Sequence, residues 1–166
     1  MATIDNATAR LASAVVNTDI MYVGVPGDAD PDRKITIAEV KKLLSKQMII
    51  MDVSRSESAN VSAAASVYTF EMPFAFTVTE VLASVVTAPV GADIEVDVRE
   101  GATSIFDGSN VLVIDDGETS SSTSAAPAVI SDTAIAANAT VSVDVDQVGS
   151  STAGAGLKVV LVGYLS

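Results

Sequence analysis

The stretch from Ala139 to Leu165, ATVSVDVDQVGSSTAGAGLKVVLVGYL, constrains the fold more than any other, because it spells two β-strands of opposite character joined by a glycine- and serine-rich connection. In the first, Val141, Val143 and Val145 alternate with Ser142, Asp144 and Asp146, the period of two of a strand with one wet face. The second is apolar on both sides, with Leu157, Val159, Leu161 and Leu165 on one and Val160, Val162 and Tyr164 on the other. A strand buried on both faces needs two partners. One is the core of its own domain. The other is expected to be a further copy of the chain, which makes Val160, Val162 and Tyr164 the predicted oligomer interface.

From Val67 onward the pattern is strand after strand: 67–76, 77–87, 92–100, 103–106, 110–115, 128–132, 139–148 and 156–165. The breaks are turn-like, as in Ala88-Pro89-Val90-Gly91 and Asp115-Asp116-Gly117, and no helical period intrudes. The expected fold is therefore mostly β: an eight-stranded antiparallel jelly-roll-like sandwich over residues 67–166. Ile94, Val96 and Val98 against Glu95, Asp97 and Arg99 repeat the alternation of the Val141 strand. These two are expected as outer strands with acidic, solvated faces.

Ahead of this domain the periodicity changes. Ile4, Ala7, Leu11 and Val15 keep helical spacing, Asp19–Val25 reads as a short strand closed by Pro26-Gly27, and Thr36 opens a second helix with Glu39 as the reciprocating residue of a capping box. Val40, Leu43 and Leu44 form its apolar stripe. The segment Met48–Val53 is a strand or a docked stretch. Residues 1–50 are thus expected to form a small α/β amino-terminal anchor module, with SRSESANVSAAAS in a linker at 51–66 and the β domain at 67–166.

The chain carries a net charge of −12, with no Cys and no His. A surface this negative repels phosphate backbones, so nucleic acid is not an expected partner. Without His or Cys, a serine nucleophile lacks its usual base and a catalytic zinc lacks its usual ligands. Carboxylate pairs remain, Asp144 with Asp146 or Asp93 with Asp97, but glycosidase pairs sit in aromatic-lined clefts and this chain has only 4 Phe and 3 Tyr. They read as solvated faces, and no enzyme is expected. The loop Gly149–Gly156 lacks the Lys-Ser or Lys-Thr of a phosphate cradle and reads as a hairpin connection. No window reaches the length of a membrane span, and the amino terminus lacks the pattern of a signal peptide, so synthesis in a cytoplasm without membrane insertion is expected.

One run carries a metal pattern. Asp28, Asp30, Asp32 and Glu39 stand at positions 1, 3, 5 and 12 of a twelve-residue calcium loop, with Ile35 at position 8. Arg33 occupies the sixth position, where the sharp turn asks for Gly, and Pro31 the fourth. Two readings stand: a calcium site, or a turn that caps the helix starting near Thr36.

The run DIMYVGVPGDADPDRKITIAEVKKLL, from Asp19 to Leu44, resembles a short module near the amino ends of tailed-bacteriophage structural proteins: an Asp-leading strand, a polar turn and a Lys-Ile-Thr-Ile-Ala-Glu helix start. The runs TAPVGADIEVDVREGATSIF and DVDQVGSSTAGAGLKVVLVGYL are similar to stretches of phage virion β-domains. The resemblance implies a virion surface protein made in the host cytoplasm, of the head-fibre, capsid-decoration or tail-fibre-like kind. It implies a homo-oligomer, a trimer, docked on capsid or other virion proteins through the amino-terminal module and projecting its β-domain. Ile20, Tyr22, Val40 and Leu43 are the candidate anchoring residues, the alternative being that they pack the module's own small core. A tail or neck fibre binding host surface glycans is the alternative.

Overall fold

A computed structural model describes residues 20–24 and 32–166. The chain divides into two units, with the boundary between Ser45 and Lys46.

In the first unit, β1 (Ile20–Gly24) pairs antiparallel with β2 (Asp32–Thr36) in the register Ile20↔Thr36 to Gly24↔Asp32, and α1 (Ile37–Leu44) follows directly. The change from strand to helix is fixed by a capping box. Thr36 Oγ1 accepts the Glu39 amide at 3.1 Å, while a Glu39 carboxylate oxygen accepts the Thr36 amide at 2.7 Å. The Thr36 amide first, and Thr36 Oγ1 donating to the same carboxylate oxygen at 2.9 Å second, hold the Glu39 carboxyl below its ordinary pKa. The helix closes with Leu44 80% exposed, outside the apolar stripe expected of it.

The second unit contains β3 (Lys46–Asp52), β4 (Ala64–Glu71), β5 (Phe76–Ser84), β6 (Ile94–Glu100), β7 (Thr103–Ser104), β8 (Leu112–Ile114), β9 (Ala134–Ile135), β10 (Thr140–Gln147) and β11 (Lys158–Leu165). One sheet runs β4-β10-β6-β7, with β8 also on β6, and the other runs β3-β11-β5-β9. All of these pairings are antiparallel. Their inner faces share one core: Val96, Val98, Ile114, Val141, Val143 and Val145 from the first sheet, and Met51, Phe76, Val78, Val159 and Leu161 from the second. At roughly 1.5–3 kcal/mol per large apolar side chain taken fully out of water, this shared core is the main stabilising term.

One irregularity shapes the second sheet. A register shift opposite Val162 and Gly163 changes the phase of β5, so Phe76 and Val78 point inward before it and Val81 and Ala83 after it. Gly163 is required there, because a Cβ would run into the Thr77 carbonyl and the Phe76 ring.

Three expectations are corrected. First, β3 pairs with β11 along its whole length, from Lys158↔Asp52 to Tyr164↔Lys46, so residues 46–50 belong to the β unit and not to the anchor module. Second, the expected linker at 51–66 is held down. Val53 and Val61 are buried, Ser54 and Leu157 exchange hydrogen bonds at 3.1 and 2.9 Å, and Val61 donates to the Gly154 carbonyl at 2.9 Å. Ser54, one of the serines that suggest a solvated run, is bonded to Leu157 just ahead of β11. Third, the Gly149–Gly156 loop is no hairpin, because β10 and β11 lie in different sheets. It crosses between them, and bridges from Thr152 to Val90 and from Ala155 to Thr87 and Asn60 tie it to neighbouring loops. Of the expected strands, 128–132 is reduced to a bridge between Ile130 and Phe106.

Candidate functional site

The side chains predicted for an interface lie on the outer face of the β3-β11-β5 sheet, where strand register assembles them into rows. Ile50, Val160 and Leu82 form one row, and Met48, Val162 and Glu80 the next. Asp52, Lys158 and Ser84 bound the patch at one end, with Lys46, Tyr164 and Thr77 at the other. Val160, Val162 and Tyr164 are half-buried in the centre of the sheet, flanked on the edge strand by Met48 and Ile50, which are 61% and 54% exposed. Reading β11 alone misses Met48, Ile50 and Leu82. The signal for the first two was MIIMD itself, apolar on both faces like β11. A contiguous apolar surface of this kind marks a place where something packs. Lys158 Nζ lies 3.3 Å from a Glu57 carboxylate oxygen, an exposed pair of small energetic weight.

The outer face of the other sheet is the reverse. β10 lies between β4 and β6, and Ser142 and Asp144 on its supposed wet side are buried, as is Asp97 on β6. Register places Asp144 beside Asp97 and Ser142 beside Arg99. Arg99 Nε sits 2.8 Å from Asp144 Oδ2 and 3.1 Å from Asp97 Oδ2. Neither oxygen lies in line with the Nε–H, so these contacts are ion pairs without a well-formed hydrogen bond. The other carboxylate oxygens are satisfied: Ser104 Oγ donates to Asp97 Oδ1 at 2.6 Å, and the Ser66 amide donates to Asp144 Oδ1 at 2.6 Å. Ser66 has a φ of +52°, and the β4–β10 register shifts beside it, so Asp144 pins the bulge. The expectation of solvated acidic faces on these two strands is thus overturned. Exposed Asp146 has its pKa raised, by partial burial first and then by the charges of Asp97 and Asp144, with Arg99 opposing.

Asp93, Glu95 and Asp115 line a shallow groove of about 410 Å³ together with Ser109, Val111 and Val113. Two of these acids brace loops: Asp93 accepts the Asp116 amide at 2.7 Å, and Asp115 accepts Ser124 Oγ at 3.0 Å and the Ala125 amide at 2.8 Å.

The remaining predicted residues lie in the first unit. Glu39 serves the capping box, and Asp32 opens β2. The run from Asp32 to Thr36 is therefore an extended strand and not part of a closed loop, while Asp28 and Asp30 lie outside the described residues. Among the described residues no group of three or more acidic, His or Cys side chains is placed to hold a metal. Of the anchoring candidates Val40 is half-buried on α1, and the side chains of Ile20, Tyr22 and Leu43 lie outside what the structure describes. No described helix is long and apolar enough to cross a membrane. No family model, curated protein or solved structure matches this chain.

Proposed function

We propose that this chain is a structural protein of a tailed-bacteriophage virion surface, a capsid-decoration or head-fibre protein that works by packing against other protein. The observation that carries this reading is the apolar outer face of β3-β11-β5, with Met48 and Ile50 exposed beside Val160 and Val162 on an otherwise acidic unit. A protein that acts alone in water gains nothing from such a face, whereas a building block does. The sequence resemblance supplies the class of assembly: a homo-oligomer, a trimer on the resemblance, made in the host cytoplasm. Residues 1–45 act as the anchor on capsid or other virion proteins, with Ile20, Tyr22, Val40 and Leu43 as contacts, and the jelly-roll-like β unit projects outward. The carboxylates at Asp97 and Asp144 are committed to Arg99, which fits a scaffold better than a pair of catalytic acids.

Electron microscopy of particles from a lysate, labelled with antibody against this chain, tests the reading. Label spread over the shell is the expected result. Label at the tail or neck would favour the alternative, a fibre recognising host surface glycans, and unlabelled particles would overturn both. Detachment of the chain by a calcium chelator would move the docking role to Asp28, Asp30, Asp32 and Glu39.

A further inference from the structure

We infer that the outer face of β3-β11-β5 docks a second copy of the chain across a two-fold axis perpendicular to the strands, above the Ile49–Leu161 pair. The inference rests on the homo-oligomer of that reading and departs from it in symmetry, setting a two-fold contact on this face where the resemblance implies a trimer.

The first argument is the order of side chains. Along the outer face β3 presents Lys46, Met48, Ile50 and Asp52, and β11 presents Tyr164, Val162, Val160 and Lys158, with Ile49 registered against Leu161 at the middle of both. Two sheets stacked face to face lie about 10 Å apart, and a two-fold in the plane between them, perpendicular to the strands, reverses strand direction. Each β3 then lies over its own counterpart. Lys46 of one copy meets Asp52 of the other, Met48 meets Ile50, and Val160 meets Val162. Lys158 falls over the ring of Tyr164, an arrangement favourable to an ammonium. One axis satisfies both β3 and β11, because both sequences are self-complementary about the same row; on β5 it sets Leu82 over Glu80.

Charge favours this surface. Residues 46–166 contain four cations, Lys46, Arg55, Arg99 and Lys158, against a large excess of Asp and Glu. Both lysines stand on this face, Lys158 beside Glu57, while Arg99 is taken up by Asp97 and Asp144 and Arg55 lies exposed at the turn after β3. Two copies of so acidic a unit repel one another except where apolar surface and compensated charge coincide. A three-fold contact is heterologous and would set this face against a different surface of the neighbour, while a two-fold sets it against itself. The two-fold pairing therefore replaces the three-fold closure that the resemblance implies.

Sedimentation equilibrium of the full-length chain should give a dimer at micromolar concentration. Lys46→Glu and Asp52→Lys should each weaken dimerisation at least about tenfold, and the double exchange should restore it, since the axis sets 46 against 52. Asp52 also accepts the Arg55 amide, so a second measurement avoids that turn. The chain has no cysteine. Under oxidation, a mixture of Met48→Cys and Ile50→Cys chains should form the mixed disulfide at least about fivefold faster than either variant alone forms its own. A monomer at 100 µM, a trimer mass, a double exchange no tighter than the single ones, or cross-linking without preference for the mixed pair would each overturn the inference. These readings need no particle. A dimer that leaves particles unlabelled sinks only the virion reading, and a monomer that labels them sinks only the pairing.

Discussion

The two outer faces of the β unit invert the usual rule. On the β4-β10-β6 sheet, charged and polar groups are sunk from water: Asp97 and Asp144 are 3% and 7% exposed and share one guanidinium. On the β3-β11-β5 sheet, Met48 and Ile50 stand more than half exposed. The inner faces of both are ordinary, closed over a single apolar core. The difference teaches that alternation along a strand reports which residues share a face, while what covers that face is decided by neighbours far along the chain. A polar face that closes on itself through ion pairs is complete within one chain. An apolar face left open by its own sheet keeps its side chains in water.

The largest expected effect separates the two sides of one strand. Met51 is fully buried and its neighbour Ile50 is 54% exposed. Met51→Ala should lower the unfolding free energy by about 2–5 kcal/mol, the usual cost of emptying a packed core site. Ile50→Ala should change it by no more than about 0.5 kcal/mol when measured at concentrations too low for association. Urea unfolding of the two variants checks the pair. Equal losses would mean that β3 has no outer side, and the contrast between the faces would collapse.

Much of the fold was legible because its signals are local. The capping box needs only Thr36 and Glu39 and forms as expected. The alternation of Val141, Val143 and Val145, or of Ile94, Val96 and Val98, identifies inward faces correctly, since an apolar row of period two has few alternatives. What failed depends on contacts between segments distant in sequence. The serines at 54–58 look solvated until Ser54 is seen bonded to Leu157. The Gly149–Gly156 loop looks like a hairpin until β11 is found to pair with β3 and β5, because turn residues mark a change of direction and do not name the next partner. The apolar outer face was half legible for the same reason: Val160, Val162 and Tyr164 could be read from one strand, but which residues of β3 and β5 lie beside them is set by registers no local pattern encodes.

Next in size is the staple on the closed face. Arg99→Ala leaves the carboxylates of Asp97 and Asp144 buried, with Ser104 Oγ and the Ser66 amide as their remaining partners. Removing one side of a fully buried ion pair costs about 3–5 kcal/mol; with the Arg99 side chain 37% exposed, about 2–3 kcal/mol is expected here. Chemical unfolding at pH 7 makes the test. A variant as stable as its parent at pH 7 would show that the acids are solvated after all, and that the two outer faces differ less than their burial implies.

The smallest expected effect tests how far the staple's charge reaches. Asp146 sits at the rim of the same face with its pKa raised, by partial burial first and by the charges of Asp97 and Asp144 second. A carboxyl whose folded pKa lies above its unfolded value favours folding in its protonated form. That contribution is fully present below the unfolded pKa, near 4, and is lost as pH rises through the folded value. At neutral pH the parent protein has already lost it, so Asp146→Asn, which cannot ionise, should be slightly more stable than the parent at pH 7 and indistinguishable from it at pH 3. Because Arg99 pulls the Asp146 pKa down against the other three causes, the gain from Asp146→Asn should be larger in an Arg99→Ala background than in the parent. A melting-temperature series over pH 3–7 on the four chains of this double-mutant cycle reads both effects. If the gain is independent of pH, the substitution acts through something other than charge. If it is the same with and without Arg99, the guanidinium serves the two buried acids alone and its field does not extend to the rim of the sheet.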